Sequence, residues 1–505
     1  MWSKLFGPLD KLLDGFSMYR LLPYCLLVLV GTSSVLGSLG LLPYSGLEIL
    51  ISASVLVCAS FASNRLFSRI IGVSANKESD LISGLILSLI MTPVSSPRGL
   101  LVLVAVATVA MGSKFLLVWG NRHVFNPAAL GAFSAGLIFN NYASWWVGTP
   151  RLLPVALVAS ILILRRIQRA QMALVFGAVF MATLAVTHHA TFFHTAQLSL
   201  THSAIVFLAG VMLTEPMSAP KNKPGYLSYA AFVALLCATP QMGLSHLSLA
   251  PEAALLVANI YTLIAFPSRR VVLRLAGKKK EAQDVYSFSF RSEKKFNFKA
   301  GQYMEWSVHH HPSDSKGTRR FLTISSSPTE DNLEIALKIS EPASSFKRAL
   351  VAMHEGDEIQ ASELAGSFTL PKDRKQKLAF IAGGIGVTPY HSMVKQLLDA
   401  NDQRDACLLY SASNPSQFAF TNLFRSAQKI GLKASYTVTG SKPDGWNGYN
   451  GRINSAMIRS IMPDYAHRTF YLSGSLGFVQ LVREQLKDLG VSNRRIRKDY
   501  FPGYE

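Results

Sequence analysis

Lys377-Leu-Ala-Phe-Ile-Ala382, followed at once by Gly383-Gly384-Ile385-Gly386-Val387-Thr388-Pro389, is the stretch on which the fold turns. Its unbroken apolar run predicts a buried strand, and a helix is predicted to follow from Tyr390 to Ala400. Strand, glycine turn and helix together bring backbone N–H groups and a positive helix end toward a pyrophosphate. Pro389 stands where the G-x-G-x-x-G fingerprint has its third glycine, so the triplet alone does not define the ligand. Upstream, Val285-Tyr-Ser-Phe-Ser-Phe290 and Tyr303-Met-Glu-Trp-Ser-Val308 alternate as strands do, which predicts a β-rich lobe ending near Pro371. The basic segment from Arg269-Arg270 to Lys278-Lys279-Lys280 precedes them and reads as the exit from an apolar half.

Composition divides the chain at that segment. Of 505 residues 49% are hydrophobic and 16% charged, with a formal net charge of +20. Residues 1–267 hold 15 Lys and Arg with 7 Asp and Glu, whereas 268–505 hold 35 and 23. Only the second density is that of a soluble globular domain, which excludes a single water-soluble domain, a disordered chain and a secreted disulfide scaffold. Cys25, Cys58, Cys237 and Cys407 include no C-x-x-C spacing. Neither a zinc ribbon nor a cysteine-ligated iron–sulfur cluster can be assembled from them, and no metal site is expected. Lys and Arg are not interleaved with aromatics, and loops beside anionic lipid collect such charge, so nucleic acid is not an expected partner.

Apolar segments in the first half predict a polytopic α-helical membrane domain with spans at about 20–40, 45–63, 79–92, 98–116, 126–139, 152–164, 171–187, 203–214, 225–241 and 250–266. Those at 79–92, 126–139 and 203–214 are too short to cross about 30 Å of hydrocarbon at about 1.5 Å per residue, and read as half-helices or packed interior helices. With the N-terminus inside, 13 of the 15 basic residues fall on inner segments and only Arg98 and Arg151 on outer loops. That asymmetry predicts a multi-pass protein of the inner (cytoplasmic) membrane with both termini cytoplasmic. Before the first span, Trp2, Leu5, Phe6, Leu9, Leu12, Leu13 and Phe16 share a helical face, which predicts a helix lying on the inner leaflet of the bilayer.

An internal repeat is also expected. Arg20-Leu-Leu-Pro23 recurs as Arg151-Leu-Leu-Pro154, Thr92-Pro93 as Thr214-Glu215-Pro216, and Pro127-Ala-Ala-Leu130 as Pro251-Glu-Ala-Ala-Leu255. Five spans per repeat would make the halves inverted, a 5+5 arrangement in which Pro-interrupted helices meet at a midplane site.

Several motifs give the second half a specific pattern: Phe298-Lys-Ala-Gly301-Gln302-Tyr303, Arg320-Phe321-Leu322-Thr323 with Ser325-Ser326-Ser327-Pro328, Ser344-Ser345-Phe346, Gly366-Ser-Phe368, the glycine turn, Tyr410-Ser411 and Leu472-Ser473-Gly474. In this order the stretch resembles the ferredoxin-NADP reductase family. The resemblance implies a β-barrel lobe over 268–372 that binds FAD and an α/β lobe over 373–505 that binds NAD(P)H, after a membrane domain over 1–267. It places Gly301, Gln302, Tyr303, Arg320, Phe321, Thr323, Ser344 and Ser345 at FAD. Arg320 is on the pyrophosphate, for which a guanidinium fork is suited, and Ser344 and Ser345 begin the phosphate-binding helix. Gly383, Gly384, Gly386 and Thr388 match the dinucleotide phosphate loop, with Ser473 and Gly474 near the nicotinamide. Thr323, beside the reducible flavin nitrogen, and Ser473 are the residues implied at the reacting atoms. Leu322 stands where the family usually has Tyr or Phe packed on the flavin, and Ser473 where Cys is common. Ala412, Ser413 and Asn414 supply no Arg or Lys for a 2′-phosphate, which favours NADH over NADPH.

Glu78-Ser-Asp-Leu-Ile-Ser-Gly84 leading to Thr92-Pro93, Phe125-Asn126-Pro127-Ala128-Ala129, and Met212-Leu-Thr214-Glu215-Pro216-Met-Ser218-Ala219 resemble the D subunit of Rnf-type electron transport complexes and the B subunit of the sodium-translocating NADH:quinone reductase. Those relatives carry FMN esterified to a Thr on the outer side and a further flavin in the bilayer. Val147-Gly148-Thr149-Pro150 is the nearest match here, making Thr149 the candidate attachment residue. A Thr-Pro helix cap is the alternative reading.

Glu48, Glu78, Asp80, Glu215 and Glu252 fall near predicted helix ends, where a carboxylate caps a helix or reaches interfacial water. His188, His189, His194 and His202 are expected in a short outer loop, an arrangement unsuited to haem. The combined reading is a membrane flavoprotein oxidoreductase. Electrons would pass from cytoplasmic NAD(P)H through FAD to membrane-held flavin, and on to a quinone or an extracytoplasmic redox protein, with further electron-transport subunits as candidate partners. The alternatives are a haem-containing transmembrane reductase and an ion or solute transporter whose reductase domain senses redox state.

Overall fold

A computed structural model describes residues 18–72, 77–119, 122–167, 169–187, 191–202, 204–238, 249–267, 270–293, 296–310, 312, 314, 317–442 and 444–499. The expected interfacial helix at 2–16, His188 and His189 lie outside them, as does the C-terminal stretch Tyr500-Phe501-Pro-Gly-Tyr504, whose aromatics are a candidate cover for the flavin in place of Leu322. The chain divides into two compact units, Met1–Arg269 and Arg270–Tyr504.

The first unit is helical: α1 Met18–Ser38, α2 Gly46–Ile71, α3 Lys77–Ile90, α4 Pro97–Leu116, a small hairpin of β1 Val118–Trp119 and β2 Arg122–His123, α5 Pro127–Phe139, α6 Leu153–Arg166, α7 Ala170–Thr187, α8 Phe192–His202, a turn Ile205–Phe207 running into a π-helix Leu208–Met212, α9 Lys223–Ala238 and α10 Pro251–Ala265. Local signals set several boundaries. Ser45 and Glu48 cap α2 reciprocally, with Ser45 N–H donating to Glu48 Oε2 at 3.0 Å, and the helix stops at Gly72 in the left-handed region. Asn126 accepts from Ala129 N–H at 3.0 Å and Pro127 starts α5.

The structure departs from the ten expected spans. Helical segments occupy those stretches, but among the described residues only Arg20–Ser38, Gly46–Ile71, Pro97–Leu116 and Ala170–Thr187 are long and apolar enough to cross a membrane, and a bent pair, Phe192–Thr201 with Ile205–Met212, makes up to five. Short α5 instead buries its small residues Ala128, Ala129, Gly131, Ala132 and Ala135 within the bundle. The segment expected to be a histidine-bearing loop contains α8, which carries His194 and His202. Its alternating polar residues hide an amphipathic helix from a search for continuous apolar runs.

Helix packing repeats within this unit. α2 packs on α4 as α7 packs on α9, α1 on α3 as α6 on the π-helix, and α4 on α5 as α9 on α10. α1 also meets α6, and α5 meets α10, so equivalent helices pair across the repeat.

The second unit has two lobes. Strands β3 Val271–Ala282, β4 Val285–Ser292, β5 Tyr303–Ser307, β6 Arg319–Thr323, β7 Leu333–Lys338 and β8 Glu358–Ala365 form an antiparallel sheet in the order β6-β5-β8-β3-β4-β7, with α11 Ser345–Ala352 between β7 and β8. Its core surrounds Trp306, Phe288, Phe290 and Phe346. β3 corrects the reading of the basic segment as a mere exit. Val271 to Arg274 pair with β8, and after a register shift at Leu275/Gly277 the three lysines pair with β4 while staying exposed. A charge run in a paired strand with a solvated face looks like a linker in sequence.

The other lobe is a parallel sheet in the order β12-β11-β10-β9-β13-β14: β9 Leu378–Gly383, α12 Thr388–Asp399, β10 Ala406–Ala412, α13 Thr421–Ser426, β11 Leu432–Val438, β12 Tyr449–Asn450, α14 Ser455–Ile461, β13 Thr469–Ser473, α15 Leu476–Asp488 and β14 Ile496–Lys498. Strand order reverses between β9 and β13. In open α/β sheets such a reversal opens a crevice at the carboxyl ends of the strands, where ligands bind.

Candidate functional site

Two sets of expected residues converge in the second unit. At the switch point, Gly383 ends β9 and Ser473 ends β13, and Ala382 is in register with Ser473. The glycine turn is a 3₁₀ helix, Gly384–Val387, leading into α12 at Thr388, two residues before the expected start, with Pro389 in the first turn where its missing N–H costs nothing. Gly384 has φ 54°, a left-handed conformation that favours glycine. A Cβ on Gly386 would lie 2.5 Å from the Gly474 backbone nitrogen, so the turn and the Ser473-Gly474 strand end touch backbone to backbone. Tyr390 locks this junction from below, donating to the Tyr471 carbonyl at 2.7 Å. Ser473 Oγ donates to Asp499 Oδ2 at 3.0 Å. Asp499 was missed in sequence because it lies in a C-terminal stretch without a motif.

Gly386→Ala forces Cβ against the Gly474 backbone, which cannot move aside as a side-chain tip could. The expected result is retained FAD with NAD(P)H oxidation down at least tenfold, checked by steady-state kinetics beside flavin content.

In the antiparallel lobe, Tyr303 pairs with Thr323 and Glu305 with Phe321. The period of two therefore places Tyr303, Phe321 and Thr323 on one face. Tyr303 and Phe321 meet edge to face, 5.7 Å between centroids. Leu322 points the other way and packs against the lobe's core, so Phe321 supplies the aromatic on the Thr323 face. Gly301 at φ 89° would place a Cβ 2.0 Å from the Phe368 carbonyl oxygen, and Gln302 donates to the Gly366 carbonyl at 3.3 Å, tying Gly301-Gln302 to Gly366-Ser-Phe368.

Arg320 and the start of α11 also come together. Arg320 Nη1 donates to the carbonyls of Gly317 at 3.1 Å and Arg319 at 2.6 Å, and its guanidinium lies over the Phe346 ring at 5.2 Å. Ser344 caps α11 by accepting from Lys347 N–H at 3.4 Å. A guanidinium beside a capped helix N-terminus has the donors to bind an anion. Asp314 Oδ2 accepts from Ser345 N–H at 2.8 Å, and Ser345 Oγ accepts from Asp314 N–H at 3.0 Å. On the same segment the His310 Nε2 is buried without a hydrogen-bond partner among the described residues.

Where the two lobes meet, a cavity of ≈ 470 Å³ is lined by Lys279, Glu281, Glu330, Glu334, His391 and Phe420, among others. Nothing in the motifs announces it. Glu334 accepts from Ser325 Oγ at 2.9 Å, and burial, reinforced by Glu281 and Glu330, pushes its carboxyl up to about 7. Burial also holds the His391 imidazole below its usual range. A carboxyl raised on folding contributes stability fully present below its unfolded value of about 4.3 and lost as pH rises through about 7. His391 acts oppositely, costing stability as pH falls below about 6.5. Thermal melts of the full chain should therefore lose the Glu334 contribution between about pH 4.3 and 7, with His391 offsetting it below about pH 6.5, so that the net loss is concentrated between about pH 6.5 and 7 at on the order of 1 kcal/mol, and Glu334→Gln should remove it. An unchanged slope in the variant would place its origin elsewhere.

Thr149, in the first unit, is not near these residues in sequence or motif. Its Oγ1 is buried without a hydrogen-bond partner among the described residues. α6 begins at Leu153 with no side-chain cap: Thr149 meets its start through its carbonyl, which accepts from Leu152 and Leu153 N–H at 3.1 Å, and not through its hydroxyl. Trp145, at φ 48°, donates to Glu252 Oε2 at 2.6 Å, Trp146 donates to the Ser88 carbonyl at 3.0 Å, and Val147 N–H donates to the Leu89 carbonyl at 3.3 Å. Of the carboxylates expected at helix ends, Glu48 does cap, whereas Glu252 holds Trp145 and Asp80 is buried against Asn64.

Comparison with known proteins agrees with the second unit. Residues 380–484 match the family model described as oxidoreductase NAD-binding domain. The reductase subunit Stc4 of stachydrine N-demethylase from Rhizobium meliloti (strain 1021) is 28% identical over 252 residues, 48% of this chain and 70% of that protein. The reductase subunit of glycine betaine monooxygenase from Pseudomonas aeruginosa (strain UCBPP-PA14) is 26% identical over 249 residues, 48% of this chain and 67% of that one. The flavohemoprotein of Bacillus subtilis (strain 168) is 24% identical over 235 residues, 45% of this chain and 58% of its own. Among solved structures, the FAD/NAD-binding domain of nitric oxide dioxygenase from Vibrio cholerae O1 biovar El Tor aligns with 46% of this chain and 98% of its own at 22% identity and TM-score 0.42. The second unit is a ferredoxin-NADP reductase-like FAD- and NAD-binding domain, and the chain is an NAD(P)H-dependent, FAD-containing oxidoreductase that transfers electrons.

Proposed function

We propose that this oxidoreductase delivers electrons from NADH into a membrane-embedded helical unit carried on the same chain. The observation that carries the reading is the joining, in one polypeptide, of a reductase domain to a unit with four helices long and apolar enough to cross a bilayer. FAD, when bound, supplies the conversion of a two-electron hydride into single electrons. The protein's own part is positional. Arg320, Ser344 and Ser345 would hold its pyrophosphate, the face of Tyr303, Phe321 and Thr323 would receive the ring, and the Gly383–Gly386 turn with Thr388 would hold the dinucleotide with Ser473 and Gly474 on the nicotinamide side. NADH is favoured over NADPH because Ala412, Ser413 and Asn414 provide no cation for a 2′-phosphate.

On the helical side, FMN esterified to Thr149 is the proposed carrier. A buried hydroxyl without a hydrogen bond among the described residues suits an oxygen engaged in an ester, which has no proton to donate. The repeated helix pairing supports an inverted 5+5 arrangement in the cytoplasmic membrane with both termini inside, which would put Thr149 on the outer side. Acceptors are then a quinone or, favoured by that position, an extracytoplasmic redox protein.

The test is oxidation of NADH and NADPH by the full chain in proteoliposomes, with a water-soluble quinone or a membrane-impermeant acceptor supplied on the opposite side. NADH oxidation coupled to the opposite-side acceptor supports the proposal. Oxidation only with an acceptor on the NADH side would leave a reductase whose helices serve as an anchor.

A further inference from the structure

The anion site at Arg320 and α11 is engaged by an anion of the protein's own. Asp314 exchanges two hydrogen bonds with Ser345, accepting from its N–H at 2.8 Å and donating from its own N–H at 3.0 Å to Ser345 Oγ. Its other carboxylate oxygen, Oδ1, lies 3.8 Å from Arg320 Nη2. One carboxylate thus spans the helix N-terminus and the guanidinium, the same two groups that the FAD reading assigns to the pyrophosphate. Both prefer a negative partner, the first through its N–H groups and dipole, the second through its fork of donors. They cannot give the same donors to two anions at full strength, and a carboxylate left beside a pyrophosphate repels it.

We propose that Asp314 is an internal competitor for the FAD pyrophosphate, holding Ser345 and Arg320 in a phosphate-ready arrangement in the absence of FAD and yielding them when it binds. The proposal rests on the assignment of Arg320 and Ser345 to the pyrophosphate. Its consequence is that the chain binds FAD less tightly than its donor set allows, so that FAD occupancy follows FAD supply. With the Asp314 and Arg320 side chains 31% and 18% exposed, the interaction is partly screened. That limits the gain on its removal to about threefold to tenfold in affinity.

The variant is Asp314→Asn, which keeps an oxygen to accept from Ser345 N–H and the backbone donor to Ser345 Oγ but removes the charge. FAD is titrated into detergent-solubilised apoprotein, full chain, by flavin fluorescence at low and high salt, with Arg320→Ala alongside and thermal melts of each apoprotein. The expected result is a Kd for FAD lowered about threefold to tenfold, a gain that shrinks at high salt, and an apoprotein melting slightly lower because an anion has left a helix N-terminus. An unchanged or raised Kd for Asp314→Asn, with Arg320→Ala weakened, overturns the competitor role while leaving the pyrophosphate assignment standing. If Arg320→Ala binds FAD as the parent does, the assignment itself fails and the proposal with it. Should Asp314→Asn melt far below the parent, Asp314→Ser, which is neutral and keeps an acceptor, is titrated instead under the same criteria.

Discussion

Arg320→Ala is expected to emerge from purification with little FAD, and to regain NADH oxidation when FAD is added in large excess. The guanidinium is a cation that the structure places beside the capped start of α11, over the Phe346 ring and bonded to the Gly317 and Arg319 carbonyls. A charged hydrogen-bonded contact of this kind contributes about 1.5–3 kcal/mol, so its loss should weaken FAD binding by about 10- to 150-fold. Part of the side chain's role is packing, which Arg320→Met would retain without the charge. Arg320→Lys should recover only part of the affinity, because an ammonium cannot bridge two phosphate oxygens as a planar fork does. FAD content after gel filtration and a fluorescence titration decide it. FAD retention equal to the parent's would remove Arg320 from the site.

Thr149→Ala should abolish flavin fluorescence of the denatured chain on a gel, when parent and variant are both made in a host that has the attaching enzyme. Thr149→Ser, which preserves the hydroxyl, should keep part of it. The structure makes this substitution unusually clean. Among the described residues Thr149 Oγ1 has no hydrogen bond to lose, and exchanging an unsatisfied buried hydroxyl for a methyl is neutral or mildly stabilising. Loss of flavin without a drop in melting temperature would therefore report on attachment rather than folding. A dark parent band removes covalent FMN from the account.

The legible parts of this molecule were those where one residue type had one physical use. Gly383 to Pro389 after an apolar run read as strand, turn and helix, and the family resemblance put Ser344 and Ser345 at a helix start, which Ser344 caps. Leu322 looked like a missing aromatic. Strand register resolves it, since Phe321 and not Leu322 shares the Thr323 face. What stayed hidden depended on contacts far apart in sequence. Asp499 reaches Ser473 only through the β13–β14 pairing, Glu334 acquires its raised pKa only through burial at the lobe junction, and Asp314 meets Ser345 across 31 residues of sequence. In the helical unit, apolar runs located helices but not crossings. α5 is short and lined with small buried residues, and hydropathy does not distinguish a helix packed inside a bundle from one facing lipid. α8 was lost for the opposite reason, its polar residues masking a helix.

The central claim is that electrons entering at the reductase unit continue into the helical unit. Anaerobic mixing of the full chain with NADH, followed at flavin wavelengths, tests it most directly. The account predicts reduction of more than one flavin per chain in the parent, in successive phases, and loss of the later phase in Thr149→Ala with the first unchanged. Reduction of FAD alone in the parent, or identical traces for parent and Thr149→Ala, would contradict it.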